Sequence, residues 1–301
     1  MIRRTIHRAE RIARRLGRTR RAPVAGGDYR VVSPFVDLPL AAAWEPWMDA
    51  VYAAALSLGP GAVVDVGVNR MQTLFKVLSL DPARRYVGFE PQLPAAICAR
   101  AFAEANRLDG VTIVAAGLSD APGLLPLKLR SPLGFDGAAS IADDRPDGFY
   151  RASVPIPLLQ GDAALAALGL DAVRLINVDV EGAELEVLRG LSAALARGPI
   201  VTFEVLSLWR DPAGRPEEEA LAALRRARAA AVADLLHAAG MQLFHVRADG
   251  LAPLDALDVE VGDDLGLCNY AAAPHAEAGA FAAAVAAQVR VRGGPAPSPS
   301  G

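Results

Sequence analysis

The chain has 301 residues and a mass of 31.4 kDa, and its 52% apolar and 22% charged content excludes a wholly disordered protein. Its two cysteines, Cys98 and Cys268, exclude a disulfide framework and favour a reducing compartment, so we expect a cytoplasmic location. The histidines and cysteines show no metal-ligand spacing, and no apolar run is long enough for a membrane-spanning helix, so neither a metal site nor a span is expected.

Charge is concentrated at the N-terminus. Residues 1–21 contain nine arginines and one acid, which leaves 22 basic and 33 acidic side chains in the rest of the chain. Such an acidic body argues against nucleic-acid binding, which needs clustered positive charge. Apolar residues recur at helical spacing in 1–21, which predicts a basic amphipathic extension. Two interpretations stay open: a solvated, partly disordered extension, or weak contact with an acidic partner or the anionic inner face of a membrane.

The remaining elements alternate along the chain. Residues 22–45, with three prolines and two glycines, predict a linker, and 46–290 predict the folded domain, followed by a disordered tail over 291–301. Strands are predicted at 63–67, 86–90, 111–115, 175–180, 200–205, 241–247 and 265–271, and helices at 44–59, 70–80, 93–107, 182–196 and 217–239. This order predicts an α/β fold with a mostly parallel, seven-stranded sheet and helices on both faces.

One stretch interrupts the alternation. Residues 120–160 replace what should be a brief connection after the third strand, and they contain several prolines and glycines. Long insertions of this kind are often lids or binding loops. We therefore expect this inserted segment to lie over the carboxyl edge of the sheet and to bind the substrate.

The chemistry is expected at the carboxyl ends of the first and fourth strands, where strand order reverses in a doubly wound sheet. The polar positions there are Asp65, Gly67 and Asn69 after the first strand, and Asp179 and Glu181 at the fourth. Asp179 falls inside the predicted strand, where a carboxylate is costly unless it is paired or solvated, which favours a role in the site. The helix dipole alone explains an acid such as Glu181 at a helix start.

The second strand ends in Glu90, 23 residues beyond Gly67. An acid at about this distance commonly accepts hydrogen bonds from the ribose hydroxyls of a nucleotide cofactor. The turn after the first strand reads G-V-N-R-M-Q, with one glycine where a dinucleotide site wants G-x-G-x-x-G, and the chain has no P-loop. A pyrophosphate cofactor is therefore disfavoured, although a nicotinamide oxidoreductase stays open. A nucleoside cofactor without phosphates, S-adenosylmethionine, fits better.

Four segments together resemble one family. V-D-V-G-V-N at 64–69, Y-V-G-F-E-P at 86–91, D-V-E-G-A-E at 179–184 and L-R-G at 188–190 are similar to the FkbM family of S-adenosylmethionine-dependent methyltransferases, over about residues 60–271. The resemblance implies a Rossmann-like methyltransferase fold and methyl transfer to a hydroxyl oxygen of a sugar, a glycan or another small molecule such as a secondary metabolite.

The resemblance also implies site residues. The implied cofactor-binding positions are Asp65 and Gly67 beside the methionine portion, Asn69 in the same turn, Glu90 at the ribose, and Ser119 and Asp120 near the adenine. Asp179, as first candidate for the general base, and Glu181, as second, are expected to face the methyl group and the acceptor. Glu204, at the end of the fifth strand, either lines the acceptor pocket or pairs with an arginine.

Two positions depart from the family pattern. Met71 stands where a second glycine is expected in the first turn, and Asn177 stands where a lysine is common, two residues before Asp179. The Met71 side chain either crowds the cofactor or points into the interface between helix and sheet. These departures keep open a degenerate member that binds a cofactor or a partner without catalysis.

Overall fold

The computed structural model describes residues 19–24, 27–32, 45–131, 136–142, 145, 148–205, 219–257, 259 and 268–292. Most of the predicted basic extension, at 1–18, lies outside the described residues, and so does the predicted tail from 293 onward. No helix within the described ranges combines the length and the apolar character that crossing a bilayer requires.

The described residues form thirteen strands and eight helices. The strands are β1 (Thr19–Val24), β2 (Gly27–Val32), β3 (Ala62–Val66), β4 (Tyr86–Phe89), β5 (Val111–Val114), β6 (Gly117–Ser119), β7 (Gly123–Leu129), β8 (Ala152–Gln160), β9 (Val173–Val178), β10 (Ile200–Glu204), β11 (Met241–Arg247), β12 (Gly250–Leu254) and β13 (Asn269–Pro274). The helices are α1 (Met48–Ser57), α2 (Gln72–Leu80), α3 (Leu93–Ala105), α4 (Gly161–Ala167), α5 (Glu184–Gly190), α6 (Ser192–Leu195), α7 (Glu219–Ala238) and α8 (His275–Arg292).

The main sheet has the order β12-β11-β13-β10-β9-β3-β4-β5. Five neighbouring strands of this sheet, β10, β9, β3, β4 and β5, are parallel to one another. The strands β13, β11 and β12 pair antiparallel. The predicted α/β class is therefore confirmed. The strand order reverses between β3 and β9, which places the expected site beyond the carboxyl ends of these two neighbours.

The predicted strand number of seven is wrong, because the described sheet has eight strands. The additional strand β12 follows β11 after two residues, and Arg247 pairs with Gly250 across the turn. The sequence did not predict β12 because it is short and contains Pro253, and within sheets proline is tolerated only at edges. The Asp249-Gly250 pair was the available signal, because this dipeptide favours two-residue hairpins.

Two apolar cores cover the two faces of the sheet. The side chains of β3 alternate between them, with Val63 in one core and Val64 and Val66 in the other. The first core includes α1, α2, α3 and α8, and the second includes α4 to α7. A parallel strand covered on both faces must be apolar at nearly every position, and β3 is apolar except at Asp65.

The inserted segment supplies two strands, β7 and β8, of a second, smaller sheet of order β6-β8-β7, and β6 lies just before it. Strands β7 and β8 pair antiparallel from Gly123 with Leu158 to Leu129 with Ala152. A small core of Leu127, Leu129, Ile156 and Leu158 lies under one face of this pair. The insertion therefore carries a folded scaffold of its own.

A hairpin occupies residues for which the sequence predicted the end of the basic extension and the start of a linker. β1 and β2 pair antiparallel from Thr19 with Val32 to Val24 with Gly27. The hairpin docks at the end of α3, where Asn106 Oδ1 accepts from the Arg30 N–H at 2.6 Å and Asn106 Nδ2 donates to the Arg30 carbonyl at 2.7 Å. The Tyr29 ring lies 5.7 Å from the Phe102 ring.

Two predicted boundaries near the site need correction. β9 ends at Val178, so Asp179 is the first residue beyond the strand rather than inside it. The predicted helix over 182–196 is divided into α5 and α6. The helices α4 and α8 were not assigned from the sequence, since alanine-rich segments such as α8 show no apolar period.

Candidate functional site

The site begins where β3 and β9 end side by side. The Asp179 N–H donates to the Val66 carbonyl at 2.9 Å, and the Gly67 N–H donates to the Phe89 carbonyl at 2.9 Å. Gly67 has φ of +95°, and a Cβ atom added to it would lie 1.8 Å from the Asp179 carbonyl oxygen. Only glycine fits both the conformation and the close approach. The carboxyl ends of the two strands therefore meet at Gly67.

The turn between β3 and α2 is conformationally strained. Asn69 and Met71 have positive φ angles of 47° and 67°. Non-glycine residues in this region cost roughly 1–2 kcal/mol each, and such residues cluster at functional sites. The Asn69 N–H donates to Glu90 Oε2 at 2.7 Å, which connects the strained turn to the end of the second parallel strand.

Met71 does not crowd the described pockets of the site. Its side chain is 7% exposed and belongs to the apolar core on the α1 side of the sheet. Its carbonyl oxygen accepts the Phe75 N–H at 2.9 Å, as a residue that precedes a helix should. Met71 therefore points into the interface between helix and sheet, which is one of the two interpretations that the sequence left open.

Glu90 is held rigidly at the end of β4. Its side chain is 2% exposed, Oε2 accepts the Asn69 N–H, and Oε1 accepts the Gln92 N–H at 2.7 Å. Burial raises the pKa of Glu90 to about 7, although the two N–H donors lower it. Because a carboxylate has about four lone-pair sites, each oxygen keeps one for a further donor.

Asp65 lies beneath the site, in a buried network. Its Oδ2 accepts the Tyr86 hydroxyl, and its Oδ1 accepts Asn177 Nδ2 at 2.8 Å. Burial raises the pKa of Asp65 to about 6, and the two hydrogen bonds lower it. Its side chain is fully buried, so the contact with a cofactor that the resemblance implies stays a prediction.

Asn177 is satisfied at both ends of its amide. Oδ1 accepts the Tyr52 hydroxyl at 3.0 Å and the Thr202 hydroxyl at 2.8 Å, while Nδ2 donates to Asp65 and, at 3.3 Å, to Thr73 Oγ1. An amide offers two donors and two acceptor sites, and all four are used. The network joins β3, β9, β10, α1 and α2. Asn177 is neutral where the family commonly has a lysine, and its amide leaves no buried polar atom of this network unpaired.

Three carboxylates meet beyond the ends of β9 and β10. Oxygens of Asp179, Glu181 and Glu204 lie within 4.8 Å of one another, and we call these three residues the acid cluster. Burial and the charge of Glu181 raise the pKa of Asp179 well above its ordinary range. Burial and the charge of Asp179 do the same for Glu204. Like charges this close disfavour full ionisation, so the cluster retains protons at higher pH than isolated carboxyls would.

A small pocket opens beside the acid cluster. Its wall includes Gly67, Asp179, Glu204, Tyr52 and Glu45. Burial raises the pKa of Glu45 as well, while the hydrogen bond from Asn269 Nδ2 to Glu45 Oε1, at 3.2 Å, lowers it. Glu45 was assigned to the linker from the sequence and was missed as a site residue. Glu204 also lines this pocket.

Arg145, from the inserted segment, reaches the acid cluster. Its Nη2 lies 2.8 Å from Glu181 Oε2, and its guanidinium lies 5.2 Å above the centre of the Phe149 ring. Glu181 has a positive φ of 56°. Carboxylates that lie this close together can share a cation, and Arg145 supplies one.

Glu184, the last acid of the D-V-E-G-A-E segment, has a structural role. Its Oε1 accepts the Gly182 N–H at 2.9 Å at the start of α5. Arg228 from α7 donates to the Gly182 carbonyl at 2.8 Å and pairs with Glu186. These bonds satisfy backbone groups at the helix start, as capping interactions do.

The other pair of predicted residues, Ser119 and Asp120, lies apart from the acid cluster. Ser119 Oγ donates to Asp120 Oδ1 at 3.2 Å. The Ser119 carbonyl oxygen lies 2.0 Å from where a Cβ atom on Gly190 would be, so this pair packs against the far end of α5. Neither residue lines the pocket beside the acid cluster. The adenine contact stays a prediction.

An apolar pocket lies between the end of β4 and the insertion. Its lining includes Val66, Phe89, Pro91, Leu118 and Val180. The insertion is tied down nearby, since Gln92 Nε2 donates to the Asp136 carbonyl at 2.9 Å and the Asp136 N–H donates back to Gln92 Oε1 at 3.0 Å. The insertion thus contacts the site on both sides, at Gln92 and at Glu181.

The sheet order, the acid at the end of the second parallel strand and the glycine turn define a Rossmann-like methyltransferase. A family model described as the methyltransferase FkbM domain matches residues 65–240, more than half of the chain, and the protein belongs to this family. The protein is also similar to methyltransferase sdnD of Sordaria araneosa, at 28% identity over 187 residues that cover 53% of this chain and 70% of that protein.

The chain is also similar to two solved methyltransferase structures. A precorrin-6y C5,15-methyltransferase from Geobacter metallireducens aligns at a TM-score of 0.37 and 14% identity, over 75% of this chain and 86% of that chain. An O-methyltransferase from Bacillus cereus in complex with SAH aligns at a TM-score of 0.37 and 11% identity, over 75% and 80% of the two chains. Likenesses at this level carry nothing about the substrate.

Proposed function

We propose that the protein transfers a methyl group from S-adenosylmethionine to a hydroxyl oxygen of a sugar, a glycan or another small molecule. The observation that carries the proposal is the buried Glu90 carboxylate, held by two backbone N–H groups across the end of the sheet from the acid cluster. A carboxylate fixed in this way suits a ribose diol, and nearby acids suit a sulfonium.

The residues of the site fit this cofactor. Each oxygen of Glu90 keeps one lone-pair site, which suits the two hydroxyls of a ribose. The apolar pocket at Phe89, Pro91 and Leu118 offers surface suited to an adenine ring. The bare Gly67 backbone allows close approach of the methionine portion. S-adenosylmethionine supplies the methyl group on a positively charged sulfur, whose charge the acid cluster stabilises.

Asp179 is the general base of this proposal. Burial and the neighbouring carboxylates raise its pKa above the ordinary range, which makes its carboxylate a stronger base. Glu181 is the weaker candidate, because one of its oxygens already accepts from Arg145. Asp179 would take the proton from the acceptor hydroxyl. Bound S-adenosylmethionine would supply the methyl group, and breaking its methyl–sulfur bond would leave S-adenosylhomocysteine. The protein's larger contribution is to align the reacting atoms, about 3–3.5 Å apart.

Ligand-induced stabilisation tests the cofactor assignment. S-adenosylmethionine and its demethylated product, S-adenosylhomocysteine, should each raise the melting temperature, because a ligand that binds only the folded state stabilises it. NAD should not. A shift with NAD alone would instead support the nicotinamide oxidoreductase.

Methyl transfer itself is tested with S-adenosylmethionine that carries a labelled methyl group and a panel of sugars and polyols. Label that resists mild base indicates an ether product on a hydroxyl oxygen. Cofactor binding with no transfer to any acceptor would favour the degenerate family member.

A further inference from the structure

We propose that Arg145 is a positioning residue for this reaction. Its guanidinium keeps the Glu181 carboxylate charged and hydrogen-bonded to Arg145, so that Asp179 is the group that takes the acceptor's proton. The inference rests on the proposed function. It gives the inserted segment a chemical role in addition to covering the site.

The contact is well suited to this role. Nη2 of Arg145 lies 2.8 Å from Glu181 Oε2, and the two side chains are 11% and 21% exposed. A charge-assisted hydrogen bond with little solvent around it is stronger than a surface pair. Phe149 lies under the guanidinium at 5.2 Å, a geometry in which the ring face attracts the cation. The Arg145 head group is therefore fixed by its carboxylate on one side and an aromatic ring on the other.

The charge of Arg145 matters because of what surrounds Asp179. The acids near Asp179 come from several elements. Arg145 brings a positive charge to this group through its contact with Glu181. These acids are Glu181 and Glu184 at the start of α5, Glu204 at the end of β10, Glu45 before α1 and Asp65 in β3. Cys268 lies near Glu204 as a further titratable neighbour.

A positive charge beside a group of carboxylates lowers their affinity for protons. With Arg145 present, Glu181 is stabilised as an anion and Asp179 is deprotonated at a lower pH than it would otherwise be. Without Arg145, the acid cluster takes up a proton at a higher pH than it does with Arg145, and Glu181 and Asp179 share that proton. A protonated Asp179 cannot accept the acceptor's proton.

The ratio of affinities for S-adenosylmethionine and S-adenosylhomocysteine reports the charge of the acid cluster, because the two ligands differ by a methyl group and a positive charge. We expect the ratio to fall as pH falls and the cluster takes up protons. Isothermal titration of both ligands between pH 5 and pH 9 gives the midpoint of this fall, and no acceptor is needed.

Four proteins are compared: the wild type, Arg145→Gln, Arg145→Lys and Arg130→Gln. Arg145→Gln should move the midpoint to higher pH by about one unit, the scale of shift that one nearby charge produces. Arg145→Lys, which keeps the charge, should leave it close to the wild-type value. Arg130→Gln is the matched control, since Arg130 pairs with Asp136 elsewhere in the insertion. The control should not move the midpoint.

A midpoint in Arg145→Gln that equals the wild-type midpoint would overturn the inference and leave the cofactor assignment intact. An equal shift in Arg130→Gln would also overturn it, because the effect would then come from loosening the insertion. Failure of the wild type to bind either ligand would overturn the proposed function, and the inference with it.

Discussion

The carboxyl and amino edges of the parallel strands are stabilised in opposite ways. At the carboxyl edge, Asn69, Met71 and Glu181 have positive φ angles, and burial raises the pKa of Glu90. At the amino edge, the Arg84 guanidinium donates to the Leu56, Gly59 and Gly61 carbonyls at 3.0–3.1 Å and to Asp81. The carboxyl edge has strained backbone and unfavourably buried charge. At the amino edge, Arg84 supplies hydrogen bonds to the backbone carbonyl groups.

This difference indicates that the carboxyl edge, where the site lies, is less stable than it would be without the groups needed for chemistry. Backbone strain and buried charge persist only where the surrounding structure compensates for them. The amino edge, with Arg84 joining the ends of three segments, supplies part of that compensation. Removing Arg84 at the amino edge should therefore destabilise the protein, whereas removing a buried charge at the carboxyl edge should stabilise it.

The largest effect is expected for Gly67→Ala at the carboxyl edge. The new Cβ atom would lie 1.8 Å from the Asp179 carbonyl oxygen, and the residue would keep a φ of +95°. We expect the free energy of unfolding to fall by more than about 4 kcal/mol, because a backbone clash adds to the strain. Urea denaturation measures it. Gly279→Ala, in α8 with nothing within 4 Å of the added atom, is the control and should be neutral or stabilising.

At the amino edge, Arg84→Met should lower the free energy of unfolding by about 2–3 kcal/mol, since it leaves partly buried carbonyl groups without their donor. Affinity for S-adenosylhomocysteine should stay within about twofold, a change of under about 0.5 kcal/mol. Arg85→Met is the control, because the bonds of Arg85 to Leu168 and Gly169 are exposed. A tenfold loss of affinity in Arg84→Met would show that the two edges are not separable.

Removing a buried charge at the carboxyl edge should stabilise the protein. Asp65 has a pKa of about 6 in the folded state against an ordinary value of 3.8. The folded state binds more protons between these values, so stability falls as pH rises through this window and the full cost is present above pH 6. In Asp65→Asn the carbonyl oxygen still accepts from Asn177 Nδ2, and the new amide N–H can donate to the Tyr86 hydroxyl oxygen. The substitution should raise the free energy of unfolding at pH 8 by up to about 3 kcal/mol.

The same comparison at pH 5 supplies the control, because the gain should shrink there to about half. Urea denaturation of both proteins at the two pH values measures it. A gain that is equal at both pH values would show that ionisation of Asp65 is not the cause.

The smallest effect is expected at Met71. Both Met71→Ala and Met71→Gly remove a buried side chain, but glycine also relieves the positive φ of 67°. The glycine variant should therefore be the more stable of the two by about 1 kcal/mol, the reverse of the usual order in a helix. Thermal unfolding compares them. Equal stabilities would mean that the turn carries no strain at this position.

The parallel core of the fold could be predicted because a strand buried on both faces must be apolar at nearly every position. β3 and β4 show this in sequence, whereas β9 and β10 are interrupted by the polar residues Asn177 and Thr202. The alanine-rich α8 gave no such signal, because its small residues blur the helical period.

The site could be predicted in part for a topological reason. Parallel strands bring their carboxyl ends to one edge, so the sequence alone predicts that Gly67, Glu90 and Asp179 are neighbours. Arg145 and Glu45 could not be placed in this way, because they lie in irregular segments. Their partners, Glu181 and Asn269, lie 36 and 224 residues away along the chain, and only the folded structure shows the pairing.

Titration calorimetry with S-adenosylhomocysteine tests most directly whether the carboxyl edge holds an adenosyl cofactor. Glu90→Ala should weaken binding at least about tenfold, since hydrogen bonds to a charged group contribute about 1.5–3 kcal/mol. Asp179→Asn should bind this neutral ligand within about threefold of the wild type, because its proposed role is to accept a proton. Unchanged affinity in Glu90→Ala would contradict the assignment of this edge as the cofactor site.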